Sequence, residues 1–346
     1  MTVKIKRSIP YPLYYCICEE IFPDTLNKVD NQKDKFRYMG QPEKLKINRK
    51  IKKIIFPGFR RDIEMPYYIE QIARGEHVLQ AIRIKTGDVF GFVKKEYIFP
   101  VEDLVVAYPV ERPVKFTERI SSFEQGPTSS YSLNLKNTNV ATGIREYMPG
   151  DKFSWIDWKQ TAKKNSMMTK EFEQEKSTDI ILILNGINHK GLNVLAFEAA
   201  VEITVSLMEV IRKKSSQVGF LSIGEKTVFF PLHHDPTKME WIRQHLTRVQ
   251  PSGEYSFPVK LKEEAMKMSG GNIIIVITTN MDEAFRQSIK QVKQRTKQVI
   301  VIFIQSNRLI TKHEHTIVEQ LRYEGVVINV LTEQQLIQNT IEVSVS

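Results

Sequence analysis

From residue 179 onward the hydrophobic pattern alternates between two periods. Asp179–Leu184, Asn272–Thr278, Gln298–Ile304 and Val326–Leu331 are short, nearly continuous apolar runs rich in Ile and Val. Such runs read as strands buried on both faces. Between them, apolar residues recur at helical spacing. In Leu195–Lys214, the residues Phe197, Ala200, Val201, Thr204, Leu207, Met208 and Ile211 share one stripe. Asp235–Gln250 opens with an N-cap residue and a proline at its first helical position. Pro258–Met268 is a helix stopped by Gly270-Gly271; Asp282–Lys297 and His313–Glu324 are two more. Gln217–Ile223 and Lys226–Pro231 form a strand pair around Gly224-Glu225. Continuous strands separated by amphipathic helices predict a doubly wound, mostly parallel α/β sheet, covered on both faces by right-handed crossovers.

The first third has no helical period. Lys4–Lys6, Leu13–Cys18, Lys44–Phe56, His77–Ile84, Phe90–Val93 and Val101–Ala107 read as short strands cut by turn residues. Strands at that spacing predict a β-sandwich over residues 1–112. Residues 113–140 are rich in Pro, Ser, Gly and Asn and read as a linker. The remaining 141–346 hold a short motif-bearing segment and the α/β sheet.

Composition narrows the function classes. The 346 residues carry 50 Lys+Arg against 40 Asp+Glu, so about two ordinary globular domains are expected. Residues 1–115 hold +7 of the net +10. The excess concentrates in Lys44, Lys46, Arg49, Lys50, Lys52, Lys53, Arg60 and Arg61. Such a patch can face an anionic membrane or phosphates, or be a solvated strand face. No apolar run is long enough to span a bilayer and the first nine residues lack a signal-peptide core; by itself the chain is expected to be soluble and cytoplasmic.

Candidate chemistry is sparse. Cys16 and Cys18, the only cysteines, would point the same way on a strand and read as two buried thiols before a redox or metal pair. His313 with His315, and His233 with His234, are short clusters more readily explained as solvated histidines. No phosphate-binding Gly-x-x-x-x-Gly-Lys-Ser/Thr loop is present, and Ser222 does not sit in a nucleophile elbow. No catalytic set and no cofactor are expected.

The least ordinary stretch is Gly143-Ile144-Arg145-Glu146-Tyr147-Met148-Pro149-Gly150-Asp151, followed by Ile156-Asp157-Trp158 and Ala162. Arg145, Glu146, Asp151 and Asp157 mix both charges among Tyr147, Phe153, Trp155 and Trp158. One reading is a polar clasp, an Arg fork held by a carboxylate between aromatic walls, fixing the linker onto the sheet domain. Another is a recognition surface, because Arg, Tyr and Trp dominate interface hot spots. Acid–base catalysis by Asp151 and Asp157 is the weaker reading, since no nucleophile accompanies them.

This stretch closely resembles the family called domain of unknown function 58, whose hallmark is G-x-R-x-Y-x-x-G-D and then I-D-W-x-x-x-A. Upstream, Arg74-Gly75 and Asp88-Val89-Phe90-Gly91-Phe92 resemble the family's R-G and D-P-F-G-L. The resemblance implies an immunoglobulin-like β-sandwich, followed by a von Willebrand factor A-like, Rossmann-like domain. It implies a non-enzymatic adaptor or scaffold at the cytosolic face of the membrane. Its partners would be a MoxR-type AAA+ ATPase and a transglutaminase-like membrane protein, with nucleic acid not expected. Family members commonly carry two transmembrane helices ahead of the β domain; here they are absent and the first strands resemble the middle of that domain, so the sandwich is expected to be incomplete and the chain a truncated form.

An A-like domain normally holds Mg²⁺ through Asp-x-Ser-x-Ser after its first strand, because the hard cation needs oxygen ligands and a carboxylate charge. The matching loop here is Asn185-Gly186-Ile187-Asn188-His189, with Asn280 after a later strand. A neutral amide replaces the leading carboxylate, and Ile187 and His189 replace the hydroxyls. The resemblance therefore implies a degenerate site without bound metal.

Overall fold

A computed structural model describes residues 1–9, 12–27, 32–45, 50–88, 90, 92–117, 139–174, 179–213, 217–233, 236–268 and 270–345. The front part holds six strands: β1 (Thr2–Lys6), β2 (Tyr15–Ile21), β3 (Ile51–Ile55), β4 (Asp62–Pro66), β5 (Gly75–Gly87) and β6 (Lys94–Ala107). They form two antiparallel sheets, β1-β4 and β3-β2-β5-β6. Val3, Cys18, Met65, Tyr67 and Ile82 are buried between them. Period 2 explains the arrangement. Cys18 and Ile84 are cross-strand partners facing this core, while their neighbours Glu19 and Arg83 face away and join Lys52, Lys85 and Glu96 in an exposed ion-pair network.

Two strand expectations change here. Phe90–Val93 is not a strand: Asp88 N donates to Val93 O (3.1 Å) and the Asp88 carboxylate accepts from Val93 N (2.9 Å). The chain thus reverses there, and the flanking runs extend into one long β5–β6 hairpin. The expected strand over Lys44–Phe56 is confined to β3. Lys44 closes a 3-10 turn (Pro42–Lys44), and 46–49 fall outside the described residues.

The remaining elements are β7 (Val114–Thr117), β8 (Asn139–Glu146), α1 (Trp158–Lys164), β9 (Met168–Gln174), β10 (Ile180–Asn185), α2 (Val194–Lys213), β11 (Val218–Ile223), β12 (Thr227–His233), α3 (Pro236–Arg248), α4 (Phe257–Lys267), β13 (Ile273–Thr278), α5 (Glu283–Lys293), β14 (Gln298–Ile304), α6 (Lys312–Tyr323), β15 (Val327–Leu331), α7 (Glu333–Ile337) and β16 (Ile341–Ser344). The main sheet runs β12-β11-β10-β13-β14-β15, parallel except for the antiparallel edge strand β12. Counted from β10, that order is 3-2-1-4-5-6, with its topological switch between β10 and β13. Ile180, Leu182 and Leu184 face the core built with α2 and α3; Ile181 and Ile183 face the one built with α4, α5 and α6. Burial on both faces is why these strands read as continuous apolar runs.

Within the expected linker, Val114–Thr117 is a strand. It pairs in parallel with β16, more than two hundred residues away, and Val114 enters the main core. Residues 118–138 of that linker lie outside the described residues, and its last two, 139–140, already belong to β8. No helix among the described residues is long and apolar enough to cross a membrane.

Candidate functional site

The central motif folds as a compact unit. β8 and β9 form an antiparallel hairpin. Between them run a turn at Tyr147–Asp151, a 3-10 turn (Phe153–Trp155) and α1. Arg145 closes a fork on Asp151, with Nη1 to Oδ2 at 2.9 Å and Nη2 to Oδ1 at 2.7 Å. Asp151 Oδ2 also accepts from Met148 N at 2.9 Å. The Arg145 hydrogen bonds, then that of Met148, hold the Asp151 carboxyl below the usual carboxylate range. Gly150 makes the turn with φ +112, a conformation costly for a side chain.

Asp157 is the N-cap of α1, accepting from Lys159 N and Gln160 N, both at 3.1 Å. This use of an Asp side chain satisfies helix N–H groups that have no partner within the helix. The helix ends at Asn165 in the left-handed region, a usual C-terminal stop. Asp151 and Asp157 are thus each committed to local structure, and the fork closes within the motif instead of reaching across to the main sheet.

Several of the motif's apolar groups are exposed. Met148 and Phe153 are exposed, and Trp158 is 66% exposed at the first turn of α1. Tyr147 lies 6.3 Å from Phe153, ring to ring, and the Lys152 ammonium sits 5.4 Å from the Trp155 ring. Glu146 is the last residue of β8, opposite Met168.

At the switch point, the loop after β10 is tied up internally. Asn185 Nδ2 donates to Thr278 Oγ1 and Asn185 Oδ1 accepts from Ile187 N, both at 3.0 Å. Ile187 is buried in the core beneath α4 and α5. His189 Nε2 lies 3.3 Å from Thr279 Oγ1, and the Asn280 carbonyl accepts from Thr278 Oγ1 at 2.9 Å. The Asn185 amide is thus spent on hydrogen bonds to its neighbours. Among the described residues, no group of three or more His, Cys, Asp or Glu is placed to hold a metal. His313 and His315 sit exposed on the first turn of α6.

Among the described residues, the basic run is divided between sheet faces and between the two ends of β3. Lys46 and Arg49 lie outside the described residues. Lys52 faces Glu19 (3.6 Å), whereas Lys53, its neighbour, turns to the opposite sheet face and donates to Pro66 O (3.4 Å). Lys44 sits in its 3-10 turn and Lys50 precedes β3, while Arg60 and Arg61 belong to the β3–β4 connection at the far end of that strand.

The sequence reading missed the buried polar contacts joining the front part to the main sheet. Arg74 forks onto Glu198 of α2 (3.0 and 2.7 Å). Its Nη1 donates to Leu246 O, Thr247 O and Val249 O at the C-terminal end of α3, at 2.6, 3.1 and 2.7 Å. Lys35 pairs with Glu202, buried against Phe36, and Asn193 donates to Met39 O at 2.7 Å. The available signal was the pairing of carboxylates at i and i+4, Glu198 and Glu202, on the otherwise apolar α2.

Comparison with known proteins agrees with the motif. The uncharacterized protein YeaD of Bacillus subtilis (strain 168) is 28% identical over 246 residues, covering 71% of this chain and 57% of that protein. The match thus spans less than two thirds of the relative's length. Among solved structures, the PilB minor pilin from Streptococcus sanguinis and a mutant of it align over 94% of this chain and 85% of theirs. Their identities are 7% and 8% and the TM-score is only 0.34. Residues 143–314, from the first glycine of the motif to the start of α6, match the model of the family described as protein of unknown function DUF58.

Proposed function

We propose that this chain is a non-enzymatic adaptor of the domain of unknown function 58 type, working with a MoxR-type AAA+ ATPase. In this reading the front part is an immunoglobulin-like domain and the main sheet a von Willebrand factor A-like domain. The 3-2-1-4-5-6 strand order with one antiparallel edge supports the second assignment. The observation that carries the function is how the central motif uses its residues. Arg145, Asp151 and Asp157 hold the motif's shape, leaving Met148, Phe153 and Trp158 on the surface. Exposed aromatic and Met side chains on a rigid, internally hydrogen-bonded scaffold are the usual material of interface hot spots. A transglutaminase-like membrane protein is a further partner in the same reading.

The test is co-purification of the full chain from its bacterial host, with and without ATP, with partners identified by mass spectrometry. A MoxR-type ATPase should be recovered, and Trp158→Ala should reduce recovery about tenfold or more, as for an interface hot spot, with the circular dichroism spectrum unchanged. Absence of the ATPase under both nucleotide conditions, or full recovery with Trp158→Ala, would overturn the proposal.

A further inference from the structure

The connections β1–β2, β3–β4 and β5–β6 all lie at one end of the front part. Leu13 and Gly58 exchange backbone hydrogen bonds (3.1 and 3.0 Å), joining the first two connections. Arg7 reinforces that junction through its backbone N to Arg61 O (2.9 Å) and its guanidinium to Gly58 O (3.1 Å). Tyr15 is the cross-strand partner of Gly87, which brings the β5–β6 tip to the same end.

Each connection exposes apolar side chains there. Ile9 comes from the first, Phe56 and Phe59 from the second, and Phe90 and Phe92 from the third. Phe90 and Phe92 are 82% and 87% exposed, with ring centroids 6.3 Å apart. Single exposed apolar residues need no explanation, but a cluster gathered from three turns does. The cluster is not spill from the core, since the apolar interior lies between the sheets at Val3, Cys18 and Ile82.

Cations ring the cluster. Arg60 and Arg61 follow Phe59 directly, Arg7 is hydrogen-bonded into the same junction, and Lys94 and Lys95 begin β6 just behind Phe92. Lys94 and Lys95 open β6 two and three residues after Phe92, where the chain becomes extended again. That placement suits a surface on which apolar tips enter the acyl boundary, roughly 5–10 Å deep, while cations remain level with the lipid phosphates. The one carboxylate in the hairpin turn, Asp88, is engaged by Val93 N.

We propose that this end of the front part docks peripherally on an anionic lipid surface, inserting Phe90, Phe92, Phe59 and Phe56 beneath a ring of Arg7, Arg60, Arg61, Lys94 and Lys95. The occupant is a bilayer because the exposed apolar groups, four phenylalanines and Ile9, come from three separate turns flanked by cations, and a phenyl ring has no hydrogen-bonding group with which to read a base. The proposal is independent of the ATPase reading and its test involves no protein partner.

The experiment is sedimentation of the full chain with phosphatidylcholine vesicles containing either no or about one third phosphatidylglycerol, at low and high salt. Partitioning should be at least about tenfold stronger on the anionic vesicles and fall with salt. Phe90→Ser/Phe92→Ser should lower it by about tenfold or more, consistent with the loss of two buried aromatic rings. Lys94→Glu/Lys95→Glu should abolish the preference for phosphatidylglycerol, whereas Lys50→Glu, at the other end of β3, should change little. Where the hairpin variant alters the circular dichroism spectrum, Phe59→Ser in a separate turn serves instead. Absent vesicle binding, or binding unaffected by the Phe substitutions in folded protein, overturns the proposal. So does self-association removed by Phe90→Ser/Phe92→Ser in lipid-free ultracentrifugation, or duplex DNA binding as strong as vesicle binding.

Discussion

Removing Arg74 should weaken the junction between the front part and the main sheet. Its guanidinium is almost fully enclosed, spans Glu198 and three carbonyls, and lies 6.0 Å from the Phe197 ring. Arg74→Ala leaves the Glu198 carboxylate, 15% exposed, without its fork, and breaking such a pair costs about 3–5 kcal/mol. It also strips hydrogen bonds from the end of α3, each worth about 0.5–1.5 kcal/mol net. Water entering the vacated space offsets part of that second loss, so about 4 kcal/mol is expected. Arg74→Lys keeps the charge but loses the planar fork and should cost about half as much. Equilibrium urea unfolding followed by far-ultraviolet circular dichroism measures these losses. A cycle with Glu198→Gln should show coupling of about 1–3 kcal/mol. A loss below about 1 kcal/mol for Arg74→Ala, or strict additivity with Glu198→Gln, would show that the contacts do not hold the two parts together.

Two further outcomes follow from buried titratable groups. His245 lies against Phe220 and Phe230, with ring centroids 6.1 and 5.9 Å away and its Nε2 buried without a hydrogen-bond partner among the described residues. Burial lowers its pKa from 6.5. The unfolded chain then binds the proton more readily, so stability is fully present above about pH 6.5 and is lost as pH falls toward the folded value. The ring is half-buried, so the slope in urea unfolding should stay well under the limit of about 1.4 kcal/mol per pH unit. His245→Phe should flatten the fall in stability below about pH 6.5; an unchanged slope would refute the assignment. Cys16 and Cys18 are buried, and burial, followed by the charges of Cys16, Glu20 and Glu19, pushes the Cys18 thiol up to about 11. Thiolate is the reactive form. At pH 8 a thiol-specific disulfide reagent should therefore label native protein on the order of a hundredfold more slowly than unfolded protein; prompt labelling of native protein would show that β2 is open to solvent.

Much of the central motif was legible in its residues. Pro149-Gly150-Asp151 marked the turn that lets Arg145 meet Asp151, six positions on, because a hairpin brings near neighbours together. Asp157 two residues before Lys159 is also a local pattern, although its role as a helix cap emerges only once α1 is known to start at Trp158. The structure also separated Lys52 from Lys53. Clustered in sequence, they diverge in space because successive strand side chains leave opposite faces.

By itself, the sequence determined the elements of the main sheet. A strand buried on both faces requires a continuous apolar run and a helix laid on it requires a stripe, and both are local signals. What only the tertiary structure decided were encounters between distant positions. Val114–Thr117 became a strand because β16 offered it a ladder; Arg74 met Glu198 across 124 positions; and three turns, each unremarkable alone, gathered Phe59, Phe90 and their cations at one end. Hydrophobic periodicity records how each segment is buried, not which remote segment buries it, and a hydrogen bond or an exposed cluster between remote residues leaves no period in the chain.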